Sequence, residues 1–104
     1  METYRIGITD LAKQDILDIA TYITYELQEP TIAAKTVNVI LDTIYTLEKM
    51  PNRIGLAKGE RLAEKGIRPL YVKNYTIFFR VDEAMRVVYV VRVLYSRRDW
   101  ESLL

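Results

Sequence analysis

Residues 67–95 read IRPLYVKNYTIFFRVDEAMRVVYVVRVLY, and the fold class turns on this stretch. Valine, isoleucine, tyrosine and phenylalanine dominate it, residue types whose branched or flat side chains pack well on a pleated surface. It divides into strands over about 67–73, 75–81 and 86–95, the last two linked by Asp82-Glu83-Ala84-Met85 as a hairpin turn. Three such strands in succession make an antiparallel meander. With Val81 opposite Val87, the side chains of Tyr75, Ile77, Phe79 and Val81 share a face with Val87, Tyr89, Val91, Val93 and Tyr95, and that face is the expected core. Thr76, Phe78 and Arg80 then share the other face with Val88, Val90, Arg92 and Leu94, a mixed apolar and basic surface expected to be open. In this register Arg92 stands opposite Thr76.

Upstream, the periodicity changes. Thr3 to Ile8 alternates as one short strand, and Thr9 or Asp10 offers an N-cap to a helix over about 10–28. Its inward stripe is Ala12, Ile16, Ile19, Ala20, Ile23 and Leu27, with Lys13, Asp15 and Asp18 mostly outside it. Pro30 suits the first turn of a second helix, whose stripe of Ala33, Val37, Ile40, Leu41, Ile44, Leu47 and Glu48, apolar except for the last, runs until Met50-Pro51-Asn52 ends it. So short a link favours an antiparallel helical hairpin. Residues 52–66 read as a loop with one helical turn. After the strands, Ser96 is positioned to cap a short amphipathic helix over Arg97–Leu104, whose Trp100, Leu103 and Leu104 need a surface to pack on. The expected fold is α+β: an N-terminal strand and an antiparallel helical hairpin packed on a mostly antiparallel sheet (β-α-α-β-β-β), closed by a short C-terminal helix. The 104 residues suit one domain, spanning 1–104.

Composition narrows the chemistry. Half the residues are apolar and 28% are charged, as in an ordinary globular protein. The chain has neither Cys nor His, so thiolate and imidazole chemistry are excluded, and with the acids scattered no metal or other cofactor is expected. No apolar run is long enough for a membrane span and the N-terminus lacks signal-peptide character, so a cytoplasmic protein without membrane contact is expected. The net charge of +1 is unevenly spread: residues 1–51 carry 4 Lys/Arg against 8 Asp/Glu, while residues 52–104 carry 11 against 6. The basic C-terminal half suggests a face for a polyanion or an acidic peptide.

Two long stretches, GIRPLYVKNYTIFFRVDE (66–83) and VVYVVRVLYSRRDWESLL (87–104), resemble the C-terminal half of RelE/ParE-superfamily toxins. The pattern formed by Tyr4, Ile6, Ile8, Thr9, Ala12, Asp15 and Ile16, and the Leu47-Glu48-Lys49-Met50-Pro51 run, also match that family's habit, so the resemblance covers nearly the whole chain. It implies the toxin of a bacterial type II toxin–antitoxin pair. The partner would be a cognate antitoxin whose C-terminal segment wraps over the toxin, giving a toxin–antitoxin hetero-oligomer that often forms by folding on binding.

Two activities are known in such toxins. RelE-like members cut messenger RNA on the ribosome with basic residues and a C-terminal tyrosine, and ParE-like members poison DNA gyrase. Cutting without His would need Lys or Arg to deprotonate the 2′-hydroxyl, stabilise the phosphorane and protonate the leaving oxygen. The resemblance makes Arg68, Arg92 and Arg97 the catalytic candidates for a metal-independent endoribonuclease. It carries over poorly, because Thr76 stands where a catalytic arginine is expected and the tail Ser102-Leu103-Leu104 holds no tyrosine. Helices of about 19 and 20 residues also resemble the long ParE-like hairpin, so gyrase is the favoured target, with ribosomal mRNA cleavage as the alternative. A third reading is a degenerate member that binds antitoxin without toxicity. Contacts to target or antitoxin are expected from Lys73, Thr76, Arg80, Tyr95, Arg98 and Trp100. The plainer reading of the arginines is solvation or pairing with Asp82, Asp99 and Glu101, each exposed pair contributing about 0–1 kcal/mol, and Tyr75 and Tyr89 read first as core.

Overall fold

A computed structural model describes residues 3–104. Strand β1 (Arg5–Ile8) leads into helix α1 (Asp10–Thr21), whose last turn widens into a π-helical segment, Tyr22–Glu26. Helix α2 (Pro30–Tyr45) follows, then short 3-10 turns at Thr46–Glu48 and Pro51–Arg53, a one-turn helix α3 (Glu60–Glu64), strands β2 (Arg68–Val72), β3 (Tyr75–Asp82) and β4 (Val87–Tyr95), and a final 3-10 turn, Trp100–Leu103. The expected α+β order is present, and the expected C-terminal helix is this single 3-10 turn.

Local chemistry explains the helix ends. Of the two candidate caps it is Thr9 that serves, its hydroxyl accepting from the Ala12 amide at 3.2 Å. The first α-helix ends earlier than its periodicity predicts. The Leu27 amide reaches back five residues to the Tyr22 carbonyl at 3.2 Å, and Gln28 adopts a left-handed φ of 55°, turning the chain toward Pro30. Ser96 does not cap the tail; its hydroxyl pairs instead with that of Thr76 at 2.8 Å, and Asp99 precedes the last turn without a side-chain cap.

The sheet order is β1-β4-β3-β2, with β1 parallel to β4 and the other neighbours antiparallel. The hairpin covers one face, where Ala12, Ile40, Ile44 and Leu47 from the helical half meet Ile77, Phe79, Val88, Val90 and Val93 from the sheet. Such side chains each contribute about 1.5–3 kcal/mol by leaving water, so this layer is the main source of stability.

The register differs from the expected one in two places. The β3–β4 turn is Glu83–Arg86, with Arg86 left-handed at φ 55°, so Val81 pairs with Val88 instead of Val87. Farther along, Phe79 pairs with Val90 but Phe78 with Arg92, which leaves Val91 as an extra residue in a β-bulge. The bulge breaks the alternation of β4. Val88, Val90 and Val93 point to the hairpin, while Val91 and Leu94 join the other face. Thr76 accordingly stands opposite Leu94, and Arg92 opposite Phe78.

That other face is not open. Ala57, Leu62 and Ile67 from the α3 region form a second small core with Phe78 and Leu94, covered by Val91, Trp100, Leu103 and Leu104. The Trp100 ring lies 5.2 Å from that of Phe78, as a tail in search of a packing surface requires. Gly66 makes the cover possible: at φ 75° it ends α3 in the left-handed conformation, and the Ile67 amide returns to the Leu62 carbonyl at 3.1 Å.

Candidate functional site

Strand β4 organises the charged chemistry because its edge is only half covered. β1 accompanies it from Val87 to Val90 and then stops at Ile8. Past that point Thr9 takes over, its amide donating to the Val90 carbonyl and its hydroxyl to that of Val91. The next edge donor, the Val93 amide, finds the Asp15 carboxylate of α1 at 3.0 Å. The same carboxylate receives Arg92 through Nε at 2.7 Å and Nη2 at 2.8 Å, and the remaining Nη1 donates to the Leu103 carbonyl at 3.2 Å. Asp15 thus replaces the missing strand and ties α1, β4 and the tail together. These hydrogen bonds hold the Arg92 proton even more firmly than an ordinary guanidinium does.

Beside this pair a cleft of about 720 Å³ opens between the end of α1 and the end of the sheet. Tyr22, Leu27, Tyr75 and Tyr95 line it together with Asp18 and Arg98. The Tyr75 and Tyr95 rings meet edge to face at 6.0 Å. Burial, then the nearby phenols of Tyr95 and Tyr22, push the Tyr75 hydroxyl above its ordinary range, so it stays a neutral hydrogen-bond donor. Tyr22 and Leu27 are both more than half exposed, an apolar rim on a polar-edged cleft. Lys73 stands in the β2–β3 turn next to it, exposed and left-handed at φ 51°, and the Ser96 amide donates to the Asn74 carbonyl in the same turn at 2.8 Å.

The residues singled out from sequence separate into groups. Tyr95 and Arg98 line the cleft, while exposed Lys73 and Arg97 are the chain neighbours of its lining residues Asn74 and Arg98. Arg80 is exposed on the far face, its guanidinium 4.6 Å above the Tyr89 ring. Arg68 lies elsewhere, opposite Phe79 on the hairpin side, with Nη1 bonded to the Ile54 carbonyl. Thr76 is buried, 2% exposed, with its hydroxyl paired to that of Ser96. Trp100 is half buried against Phe78. Arg68 and Arg92 are therefore not brought together, and Arg92 pairs with Asp15 instead of an acid near it in sequence. Among the described residues no three of His, Cys, Asp or Glu group as a metal site, and no helix is long and apolar enough to cross a membrane.

Sequence reasoning missed Asp15 and Tyr22, and misplaced Tyr89. The spacing of Asp15 held a signal, since it lies three residues after buried Ala12 and four before Ile19, on the inward stripe. Tyr89 falls on the far face because of the shifted turn, pairing with Arg80 on one side and Gly7 on the other.

The profile of the family described as the ParE toxin of the type II toxin–antitoxin system parDE matches residues 6–100. No curated protein matches the chain. Among solved structures, the chromosomal ParDE toxin–antitoxin system from P. aeruginosa superposes with a TM-score of 0.72 at 22% identity, over 88% of this chain and 94% of that one. The RelBE2 toxin–antitoxin complex from Mycobacterium tuberculosis gives 0.64 at 21% identity, over 89% and 98%. The archaeal RelE–RelB complex from Pyrococcus horikoshii gives 0.62 at 13% identity, over 92% and 98%. At such identities these likenesses speak for a common fold.

Proposed function

This chain belongs to the ParE family of toxins of type II toxin–antitoxin systems, and from that premise we propose that it arrests growth by binding DNA gyrase and not by cutting RNA. The observation that carries the reading is the commitment inside the domain of two of the three candidate arginines, Arg68 and Arg92, which leaves Arg97 alone at the surface. Arg92 gives three of its five N–H groups to Asp15 and the Leu103 carbonyl, and Arg68 sits on the opposite side of the sheet bonded to the Ile54 carbonyl. A cutting site needs a base, an acid and a phosphate clamp around one scissile bond, and Arg92, fixed in its ion pair with Asp15, can neither take nor release a proton at neutral pH.

What the cleft end offers is binding surface. Arg98 supplies exposed positive charge beside Tyr95, Tyr22 and Leu27, with exposed Arg97 next to it in the chain, and aromatic and arginine side chains are enriched at protein contact sites. In this reading they grip the target, and the antitoxin neutralises the toxin by occupying its surface.

Two assays with purified toxin test the reading: gyrase supercoiling of plasmid DNA, and primer extension on message held in programmed ribosomes. Inhibition of supercoiling with intact message is the expected result. Cleavage of the ribosome-bound message, with supercoiling unaffected, overturns it.

A further inference from the structure

At the tip of the hairpin the helical periodicity fails, and the failure exposes apolar surface. Continued at about 100° per residue, the inward stripe of Ala12, Ile16, Ile19 and Ile23 would bury Leu27. The π-helical turn prevents this: the Leu27 amide reaches five residues back to the Tyr22 carbonyl, and the Glu29 amide reaches the Ile23 carbonyl at 3.0 Å. The widened turn carries Leu27 outward, and it is 52% exposed. Tyr22 and Tyr25 lie in the same turn at 56% and 73% exposure, and Ile32 follows in the first turn of α2 at 47%. Large apolar side chains gathered in solvent within residues 22–32 mark a contact surface, and π-helical turns occur frequently at functional sites.

The charge around the tip has one sign. Residues 14–34 hold Asp15, Asp18, Glu26 and Glu29 and neither Lys nor Arg. Asp15 is spent on Arg92, whereas Asp18, Glu26 and Glu29 are exposed and, among the described residues, in no salt bridge. Carboxylates beside exposed tyrosine rings complement lysine and arginine, which pair with the first and lie over the second. An acidic peptide or a nucleic acid is repelled here. The surface that fits is basic and partly apolar, and an enzyme that holds DNA presents one, because it must neutralise phosphates with Lys and Arg.

We propose that the tip of the helical hairpin docks on the basic DNA-holding surface of gyrase, through Tyr25, Glu26, Leu27 and Glu29, so that toxin and DNA compete for one site. This docking rests on the gyrase reading, and adds to it the toxin element that makes the contact and the chemistry of the surface it meets. Arg98, on the sheet side of the cleft that Tyr22 and Leu27 line, gives the contact a polarity: its side meets acid where the tip meets base.

The test is surface plasmon resonance on immobilised gyrase holoenzyme at about 50 and about 300 mM KCl, comparing wild-type toxin with Glu26→Lys/Glu29→Lys and with Tyr25→Ser. The double variant should bind at least roughly 10-fold more weakly and show a flatter salt dependence, as loss of complementary charge requires. Tyr25→Ser should bind more weakly at both salt concentrations. All three side chains are exposed, so the melting temperatures should match that of the wild type. Loading the gyrase beforehand with a linear DNA duplex should block the wild-type toxin. Wild-type affinity and salt slope in the double variant overturn the tip assignment and leave the gyrase reading standing. Undiminished binding to DNA-loaded gyrase overturns the competition. No binding by the wild type overturns the gyrase reading itself, and the docking with it. If the double variant binds gyrase normally and loses its co-encoded antitoxin, the tip is an antitoxin contact; if it binds gyrase normally and dissolves a wild-type dimer in sedimentation, the occupant is a second copy. Either result shows the inference to be wrong.

Discussion

Asp15 and Arg92, 77 positions apart in sequence, meet in a two-pronged ion pair with side chains only 8% and 14% exposed. A buried pair is costly to break from one side, because the survivor keeps its charge without its partner. Asp15→Ala should therefore lower stability by about 3–5 kcal/mol in urea denaturation. Removing both charges as Asp15→Leu with Arg92→Met should recover most of that loss, leaving about 1–3 kcal/mol for the unsatisfied Val93 amide. Equal losses in single and double variants would mean that the carboxylate acts only on the strand edge.

Phe78→Ala should cost about 3–5 kcal/mol, since the ring is 1% exposed and its removal leaves a cavity in the second core. The tail should loosen as well. Trp100 is the only tryptophan in the chain and packs on that ring, so its fluorescence reports the detachment directly. A red shift of the emission is expected, and an unshifted spectrum would show that the tail holds its place without Phe78.

Gly7→Ala introduces a methyl group at 3.2 Å from the Tyr89 ring, tighter than ordinary packing. The strain should cost about 1–2 kcal/mol, the lower part of the usual overpacking range. The smaller side chain of Tyr89→Leu should remove it, so the two substitutions should be less than additive by thermal melting. Full additivity would place the strain somewhere other than that ring.

Arg97→Ala should reduce toxicity while changing stability by under about 0.5 kcal/mol, as expected for an exposed side chain. Plating efficiency after induced expression measures the first and thermal melting the second. A fully toxic variant with normal melting removes Arg97 from the target-binding surface.

The Glu83 carboxyl is held below its ordinary value of 4.5, first by the Asn52 amide, then by the Tyr4 hydroxyl and the charges of Arg86 and Arg68. A lowered carboxyl stabilises the fold when ionised, in full above pH 4.5 and progressively less as the pH falls through the native value. Glu83→Gln should thus be less stable than wild type at neutral pH and approach it in acid. Denaturation curves separated by the same interval down to about pH 3 would contradict this account.

The helical hairpin and the number of strands were legible because apolar and polar residues contrast at clear periods. The bulge was not. In VVYVVRVL nearly every position is apolar, so alternation carries no information about which valine is extra, and a single left-handed residue, Arg86, moves the whole register. The cover over Phe78 escaped for another reason: it is built from a five-residue helix and a 3-10 turn, elements too short to show any period. Among candidate site residues, Tyr95 and Arg98 come together at the cleft because one ends β4 and the other follows in the connection after it. Arg68 and Arg92 could not be separated without knowing the pairing of β2 and the break in β4.

The parallel pairing of β1 with β4 also sets an order of events during synthesis. Arg5 finds its partner Val87 only 82 residues later in the chain, an interval on the order of 4–16 s at ordinary elongation rates. Until then the nascent polypeptide holds an unmatched strand, and a helix whose Asp15 lacks its cation. The toxin therefore completes its sheet and its buried ion pair together, only after β4 has been made.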